Sequence, residues 1–172
     1  SDPDRGGGDI FLYTPENGET RNLTPGLDWS PTWLQWFPDG QRILCAGWDG
    51  LGTRIATLEA VSGAINTLDN TFLIGDRHWP HLSTSQDMQH IVATHSEQHP
   101  YDVWLMEYRP DALQESSHGP WRRCTRLNPI TEETIAMHPT EHIRYEGAGG
   151  WQIDAVVTRP RHNPESVLPP LI

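Results

Sequence analysis

The stretch Thr32–Ala46 constrains the fold more than any other, because it joins two apolar segments through a tight turn and then recurs along the chain. The turn is Phe37-Pro38-Asp39-Gly40. Proline presets φ for its first corner, the aspartate accepts hydrogen bonds from nearby backbone N–H groups, and glycine adopts the positive φ that follows. Apolar segments on both sides of Pro-Asp-Gly predict an antiparallel β-hairpin.

Two constant shifts in residue number relate this hairpin and the segments around it to other parts of the chain. A shift of 48 positions matches Leu34, Asp39, Gln41, Ile43, Ile55 and Glu59 to Leu82, Asp87, Gln89, Ile91, Val103 and Glu107. A shift of 45 positions matches Ile10, Gly18 and Leu23 to Ile55, Gly63 and Leu68. Each unit ends on a polar-Leu-polar triplet: Asn22-Leu23-Thr24, Thr67-Leu68-Asp69 and Arg126-Leu127-Asn128.

A period in the 40s with four short strands per unit is typical of β-propeller blades. The predicted units are a half blade at Asp9–Thr24, a blade at Thr32–Asp69 and a blade at Trp79–Asn128, which carries an insertion near Ala112–Pro120. The fold class is therefore all-β, a partial propeller of about two and a half four-stranded antiparallel blades. A closed propeller needs roughly four to eight blades. We expect this chain to be part of a larger protein, or to bury its open apolar faces by homo-oligomerisation.

Composition agrees with a turn-rich β protein and excludes several partners. Fifteen glycines and fifteen prolines punctuate the short apolar segments. A net charge of −11 argues against nucleic acid, and no run of about eighteen apolar residues predicts a membrane span. The first residues lack the apolar core of a signal peptide. Cys45 and Cys124 belong to no metal-binding motif, so two free thiols in the cytoplasm are expected, with a disulfide between them as the alternative.

The pattern changes after Asn128. Residues 129–142 resemble a linker, and residues 143–172 begin a different element. Two strand-like segments, His142–Glu146 and Trp151–Thr158, flank the turn Gly147–Gly150 and predict a second kind of hairpin. The chain ends in the apolar run Val167–Ile172.

With these motifs in hand, the chain resembles a known family. The repeats are similar to the PD40 (TolB-like) propeller repeat, which carries a Ser/Phe-Pro-Asp-Gly turn and closes on Arg-Leu-Thr. The order of blades, Arg126-Leu127-Asn128, linker, strand, glycine turn, strand, Arg159-Pro160 and Pro170-Leu171-Ile172 resembles S9 prolyl-oligopeptidase-type serine peptidases. Within that family, the chain is similar to the acylaminoacyl-peptidase and dipeptidyl-aminopeptidase branch. Gly149-Gly150 in place of Asp-Gly, Arg159 in place of Lys, and Gln86-Asp87-Met88 in place of Pro-Asp-Gly depart from the family pattern.

The resemblance implies a propeller followed by an α/β-hydrolase domain. Ile143–Arg159 would be the first hairpin of that domain, and Leu171-Ile172 would open the strand that leads to a His-Gly-Gly oxyanion motif. The Gly-x-Ser-x-Gly nucleophile elbow and the rest of the triad would lie beyond Ile172. We therefore assign no catalytic, cofactor-binding or metal-binding residue within this chain.

The function that follows is that of a non-catalytic propeller part of a cytoplasmic serine peptidase, which gates access and positions short peptides. Its partners would be the hydrolase domain and the remaining blades. The alternative is a non-enzymatic PD40/TolB-like propeller that acts as a protein-interaction scaffold.

Three residue clusters permit other interpretations. Five histidines near one hairpin suit a metal, as in propeller lyases, but their spacing matches no closed site: His78, His81, His90, His95 and His99. Tryptophans could line a cleft for sugars or peptides. Core packing is the preferred interpretation for those inside predicted strands (Trp33, Trp36, Trp79 and Trp104), and a surface position for Trp48 and Trp121. Glu132-Glu133 could hold a substrate amine, but a solvated charge pair in the linker is favoured.

Overall fold

The computed structural model describes residues 8–74, 80–96, 101–109, 119–127 and 140–158. The prediction of an all-β chain is confirmed, because the described residues form antiparallel strands whose only helical segment is the 3-10 turn Ala148–Gly150. None of the sheets in these ranges closes on itself. No helix among the described residues has the length and hydropathy needed to cross a bilayer. The chain divides into two compact units, Ser1–Leu127 and Asn128–Ile172.

The described residues of the first unit form ten strands. Their bounds are β1 Phe11–Thr14, β2 Glu19–Asn22, β3 Ser30–Trp36, β4 Arg42–Asp49, β5 Gly52–Glu59, β6 Ile65–Ile74, β7 Leu82–Thr84, β8 His90–Ser96, β9 Asp102–Glu107 and β10 Arg122–Arg123. Strands β1 and β2 form a separate hairpin. Strands β3 to β6 pair in chain order, as do β7 to β10. The end of β6 joins the two four-stranded groups by pairing with β8.

The 48-residue register is visible in the turns of the two four-stranded groups. Asp39 Oδ1 accepts a hydrogen bond from the Gln41 N–H at 2.8 Å, and Asp87 Oδ1 accepts one from the Gln89 N–H at 3.0 Å. Gly40 has φ 65°, and Met88 at the equivalent position has φ 59°. Met88 therefore keeps the left-handed turn conformation without glycine, and its side chain is fully buried.

The 45-residue register is visible in strand pairing. Phe11 lies opposite Asn22 in the first hairpin, and Ala56 lies opposite Thr67 in β5–β6. Both hairpins close through a loop of four residues, since Thr14 pairs with Glu19 and, 45 positions on, the Glu59 N–H donates to the Ala64 carbonyl. Asn17-Gly18 in the first loop is the residue pair typical of a two-residue hairpin turn, but only Gly18 has positive φ, so the first hairpin does not use that turn.

The register predicted for the third terminal triplet, Arg126-Leu127-Asn128, is wrong. The Leu23 N–H donates to the Ile10 carbonyl, and the equivalent bond to the Val103 carbonyl comes from Cys124, each at 2.8 Å. Cys124 thus occupies the position predicted for Leu127, which is 68% exposed whereas Leu23 is 4% exposed. Strand pairing fixes this register, and β10 ends too early for Leu127 to join the sheet.

Two apolar cores lie on opposite faces of β4. The first core contains Ile10, Leu23, Trp29, Ile43, Cys45, Ala56 and Leu58. The second core contains Phe37, Leu44, Ala46, Ile55, Leu68, Met88, Ile91, Ala93, Met106 and Tyr108. Successive residues of β4 contribute alternately to the two cores, as the period-2 geometry of a strand requires. The β1–β2 hairpin, the β3–β6 group and the β7–β10 group therefore stack as three layers.

The described part of the second unit, residues 140–158, is a hairpin of β11 Thr140–Glu146 and β12 Gln152–Thr158. The two strands pair along their whole length, from Thr140 opposite Thr158 to Glu146 opposite Gln152. The glycine-rich turn reverses the chain with positive φ at Gly149 and Gly150. Strand β11 begins at Thr140, so it includes the last three residues of the segment expected to be a linker.

Matched glycines test the stacking of the first two layers. Gly18 and Gly63 occupy equivalent turns with φ 72° and 74°. A Cβ at Gly18 would meet nothing within 4 Å, whereas one at Gly63 would lie 2.6 Å from the Leu23 carbonyl oxygen. We expect Gly18→Ala to lower the free energy of unfolding by about 1 kcal/mol, from backbone strain alone. Gly63→Ala should lower it by about 3 kcal/mol, because Leu23 must also move.

Urea unfolding of the two variants measures this difference. Equal losses would show that β2 does not pack against the turn that contains Gly63.

Candidate functional site

An apolar cleft between β1 and β3 is the candidate site. Its volume is about 250 Å³. The cleft is lined by Ile10, Phe11, Leu12, Tyr13, Leu34, Gln35, Trp36 and Ile43. Because Ile10 and Ile43 also belong to the first core, the cleft is an open continuation of the packing between the first two layers.

Large apolar side chains are exposed around the cleft. Phe11 is 60% exposed and Tyr13 59%, while Leu34 is 52% and Trp36 46% exposed. A cluster of this kind on a protein surface usually marks a contact site. Ala56 and Leu58, which match Phe11 and Tyr13 in the 45-residue register, are completely buried.

The polar groups of the cleft are few and uncharged. The Gln35 side-chain amide donates to Thr84 Oγ1 at 2.8 Å and contacts Met88 Sδ at 3.5 Å, which fixes it toward the third layer. The lining described above contains no carboxylate, imidazole or guanidinium. The cleft can therefore bind an apolar or extended polypeptide surface, but its own residues supply no acid–base or nucleophilic set.

The tryptophans inside strands divide between core and cleft. Trp33 packs against the second core, as predicted. Trp104 is half-buried and lies 4.9 Å from the His95 ring, centroid to centroid. The core prediction is wrong for Trp36, because β3 is the edge strand and turns this side chain toward the cleft. Trp79 lies outside the described residues.

The tryptophans beside loops also divide. Trp48 is half-buried in β4. The surface position predicted for Trp121 is wrong, since its ring packs against the second core. Its Nε1–H donates to Asp69 Oδ2 at 2.5 Å, which ties the third layer to the end of the second. Because Asp69 lies 52 positions from Trp121, no residue near Trp121 in the sequence predicts this hydrogen bond.

The histidines do not converge on a metal centre in the described part of the chain. His81 and His90 are exposed, whereas His95 is 1% exposed. No group of three metal-ligating side chains occurs among the residues that the structure describes. His78, His99 and the Glu132-Glu133 pair lie outside those residues.

Sequence reasoning missed a buried carboxylate at Asp102. Its Oδ1 accepts hydrogen bonds from the Thr125 hydroxyl and the Leu127 N–H, each at 2.8 Å, and its Oδ2 accepts one from Arg123 Nε at 2.8 Å. Burial by itself raises the pKa of Asp102, but the bonds from Leu127, Thr125 and Arg123 outweigh it and hold the pKa below 3.8. These hydrogen bonds connect the segment after β10 to the start of β9.

An equivalent set of hydrogen bonds occurs at Asp9. Asp9 Oδ2 accepts a hydrogen bond from the Asn22 amide at 2.6 Å, and Oδ1 accepts one from the Leu27 N–H at 3.2 Å. The Thr24 hydroxyl accepts from the Ile10 N–H, as the Thr125 hydroxyl accepts from the Val103 N–H. Both repeats place an aspartate near the start of one strand (Asp9 and Asp102) and a threonine after the strand that pairs with it (Thr24 and Thr125). This pattern is a sequence signal that could have been found.

The hairpin of the second unit carries an exposed polar cluster. Asp154 Oδ1 lies 3.0 Å from His142 Nε2 and 2.8 Å from Arg144 Nε. The hydrogen bond from Arg144 is the main cause that lowers the pKa of Asp154. Arg144 and His142 are both more than half exposed, so we assign this cluster to cross-strand pairing.

The two thiols are not paired with each other. Cys45 is buried and Cys124 is exposed. Burial raises the pKa of the Cys45 thiol to about 12, so this side chain behaves as part of the first core.

No family model and no curated protein matches the chain.

Acid stability tests the Asp102 cluster. A carboxylate whose folded pKa is lowered stabilises the fold above its ordinary pKa, and this contribution disappears as the pH falls through the folded pKa. We therefore expect stability to fall as the pH is lowered from about 5 to below the ordinary pKa of an aspartate. The Asp102→Asn variant should be less stable by about 2 kcal/mol at neutral pH, with a shallower loss in acid.

Asp9→Asn is the matched control. Its side-chain partner Asn22 is uncharged, so this variant should lose less stability at neutral pH than Asp102→Asn. Urea unfolding across this pH range provides the measurement. A pH profile for Asp102→Asn that matched the unmodified chain would contradict the assignment.

Proposed function

We propose that this chain is the propeller part of an S9-type serine peptidase that cleaves short peptides. The observation that carries the proposal is the order of structures along the chain. Four-stranded antiparallel groups repeat in one register, and a separate β-hairpin with a glycine-rich turn follows them. This order agrees with the junction between a PD40-type propeller and a hydrolase domain.

In this proposal the chemistry belongs to a domain beyond these residues. A serine would attack the peptide carbonyl with a histidine as general base, and backbone N–H groups would stabilise the oxyanion. The stacked sheets would act as a lid that admits short peptides and excludes folded proteins. The proposal includes a cytoplasmic location, which the two unpaired thiols support.

The apolar cleft favours one second candidate, a non-enzymatic PD40/TolB-like scaffold. Its exposed aromatic rim suits a protein partner, and such a function needs no hydrolase domain. The two candidates differ in one property: only the peptidase has a reactive serine in the same polypeptide.

Fluorophosphonate labelling of the protein in lysate from its source distinguishes them. The labelled polypeptide should yield tryptic peptides from residues 22–54 of this chain, and the modified serine should lie outside residues 1–172. The isolated 172-residue chain serves as the control and should neither label nor hydrolyse peptides. A native polypeptide that contains this sequence but does not label would reject the peptidase, and so would labelling of the isolated chain.

A further inference from the structure

One edge of β1 is open along the cleft. The Ile10 carbonyl accepts from the Leu23 N–H, and the Thr14 carbonyl accepts from the Gly18 N–H, so these residues direct their peptide groups toward β2. Peptide groups alternate along a strand, which directs those of Phe11 and Tyr13 to the other edge. Among the described residues, no strand pairs with that edge.

The internal repeat shows what an equivalent edge binds. Strand β1 matches β5 in the 45-residue register. The corresponding edge of β5 pairs with β4, where Ala56 lies opposite Cys45 and Leu58 opposite Ile43. Covered in this way, Ala56 and Leu58 have no exposed surface, whereas Phe11 and Tyr13 are more than half exposed.

The facing wall of the cleft lacks a neighbour in the same way. Strand β3 contacts the first strand of the next group through Gln35 and Thr84, so the first strands of stacked groups touch. On its other face β3 presents Leu34 and Trp36 to the cleft, both about half exposed. A strand beside these two residues would repeat the β3–β7 contact.

We infer that the cleft is a docking surface for a β-hairpin of the β3–β4 type. The second strand of the hairpin pairs antiparallel with β1, and its first strand covers Leu34 and Trp36. The cleft already continues the first core through Ile10 and Ile43, so the hairpin extends an existing interface. A single extended strand would pair with β1 but leave the face of β3 exposed.

This inference depends on the repeat and not on the peptidase proposal. If fluorophosphonate fails to label the parent polypeptide, the open edge and its register are unchanged. If the hairpin fails to dock, the position of the reactive serine is unaffected.

Amide hydrogen exchange of the 172-residue chain, followed by NMR, tests the inference. The probe is a synthetic peptide with the sequence of residues 30–49, carrying Cys45→Ser to prevent oxidation. Without the probe, the amides of Phe11 and Tyr13 should exchange rapidly. With saturating probe they should exchange at least about tenfold more slowly, while those of Ala56 and Leu58 keep their rates.

Three variants control the experiment. Tyr13→Pro removes an N–H at the open edge while the bonds to β2 remain, and it should abolish protection of Phe11. If Tyr13→Pro unfolds the first hairpin, Trp36→Gln in the 172-residue chain gives an independent test. It removes apolar surface from the opposite wall of the cleft, so the probe should protect Phe11 and Tyr13 less. Trp151→Gln removes a tryptophan ring in the second unit that is even more exposed than Trp36, at 76% against 46%, and it should leave binding unchanged.

Three results would overturn the inference. The first is an unchanged exchange rate at Phe11 and Tyr13. The second is equal protection by a shorter peptide of residues 41–49, which would identify a single strand as the occupant. The third is protection in the free chain that rises with protein concentration, which would identify a second copy.

Discussion

The structure of the first unit depends on the burial of β4 on both of its faces. Ile43 and Cys45 enter the first core, while Leu44 and Ala46 enter the second. A strand with two apolar faces is stable only if a layer covers each face, so the β3–β6 group requires neighbours on both sides. The β1–β2 hairpin and the β7–β10 group supply them, and stacking follows from the composition of one strand.

The local features of this arrangement could be predicted because their causes are local. The turn at Asp39 and Gly40 depends on neighbouring residues, and the same chemistry identified its copy around Asp87 although Met88 replaces glycine. These signals define the repeat before any three-dimensional information is used.

Features that depend on distant partners could not be predicted. Trp121 is half-buried against the second core and donates its N–H to Asp69, 52 positions away, and Asp102 is satisfied by residues more than twenty positions away. Trp36 is exposed because its strand lies at an edge, which a strand pattern does not reveal. The candidate site could not be predicted for the same reason. The cleft exists because no described strand pairs with the second edge of β1, and a strand pattern does not reveal which edges stay unpaired.

The cleft and the proposed function concern different parts of one architecture. The hairpin of Thr32–Ala46 builds the central layer, and a hairpin of the same type is what the cleft is shaped to receive. The proposed peptidase chemistry would lie beyond these layers. The stack of sheets would then provide a rigid wall and a route of access.

Methyl–methyl nuclear Overhauser effects from β4 test the central claim most directly. Ile43 and Leu44 are adjacent in sequence and belong to different cores. The account predicts that Ile43 shows effects to Ile10 or Leu23, and that Leu44 shows effects to Ile91 or Met106. Effects from both residues to the same set of methyl groups would show that β4 is covered on one face only, and would contradict the stacked arrangement.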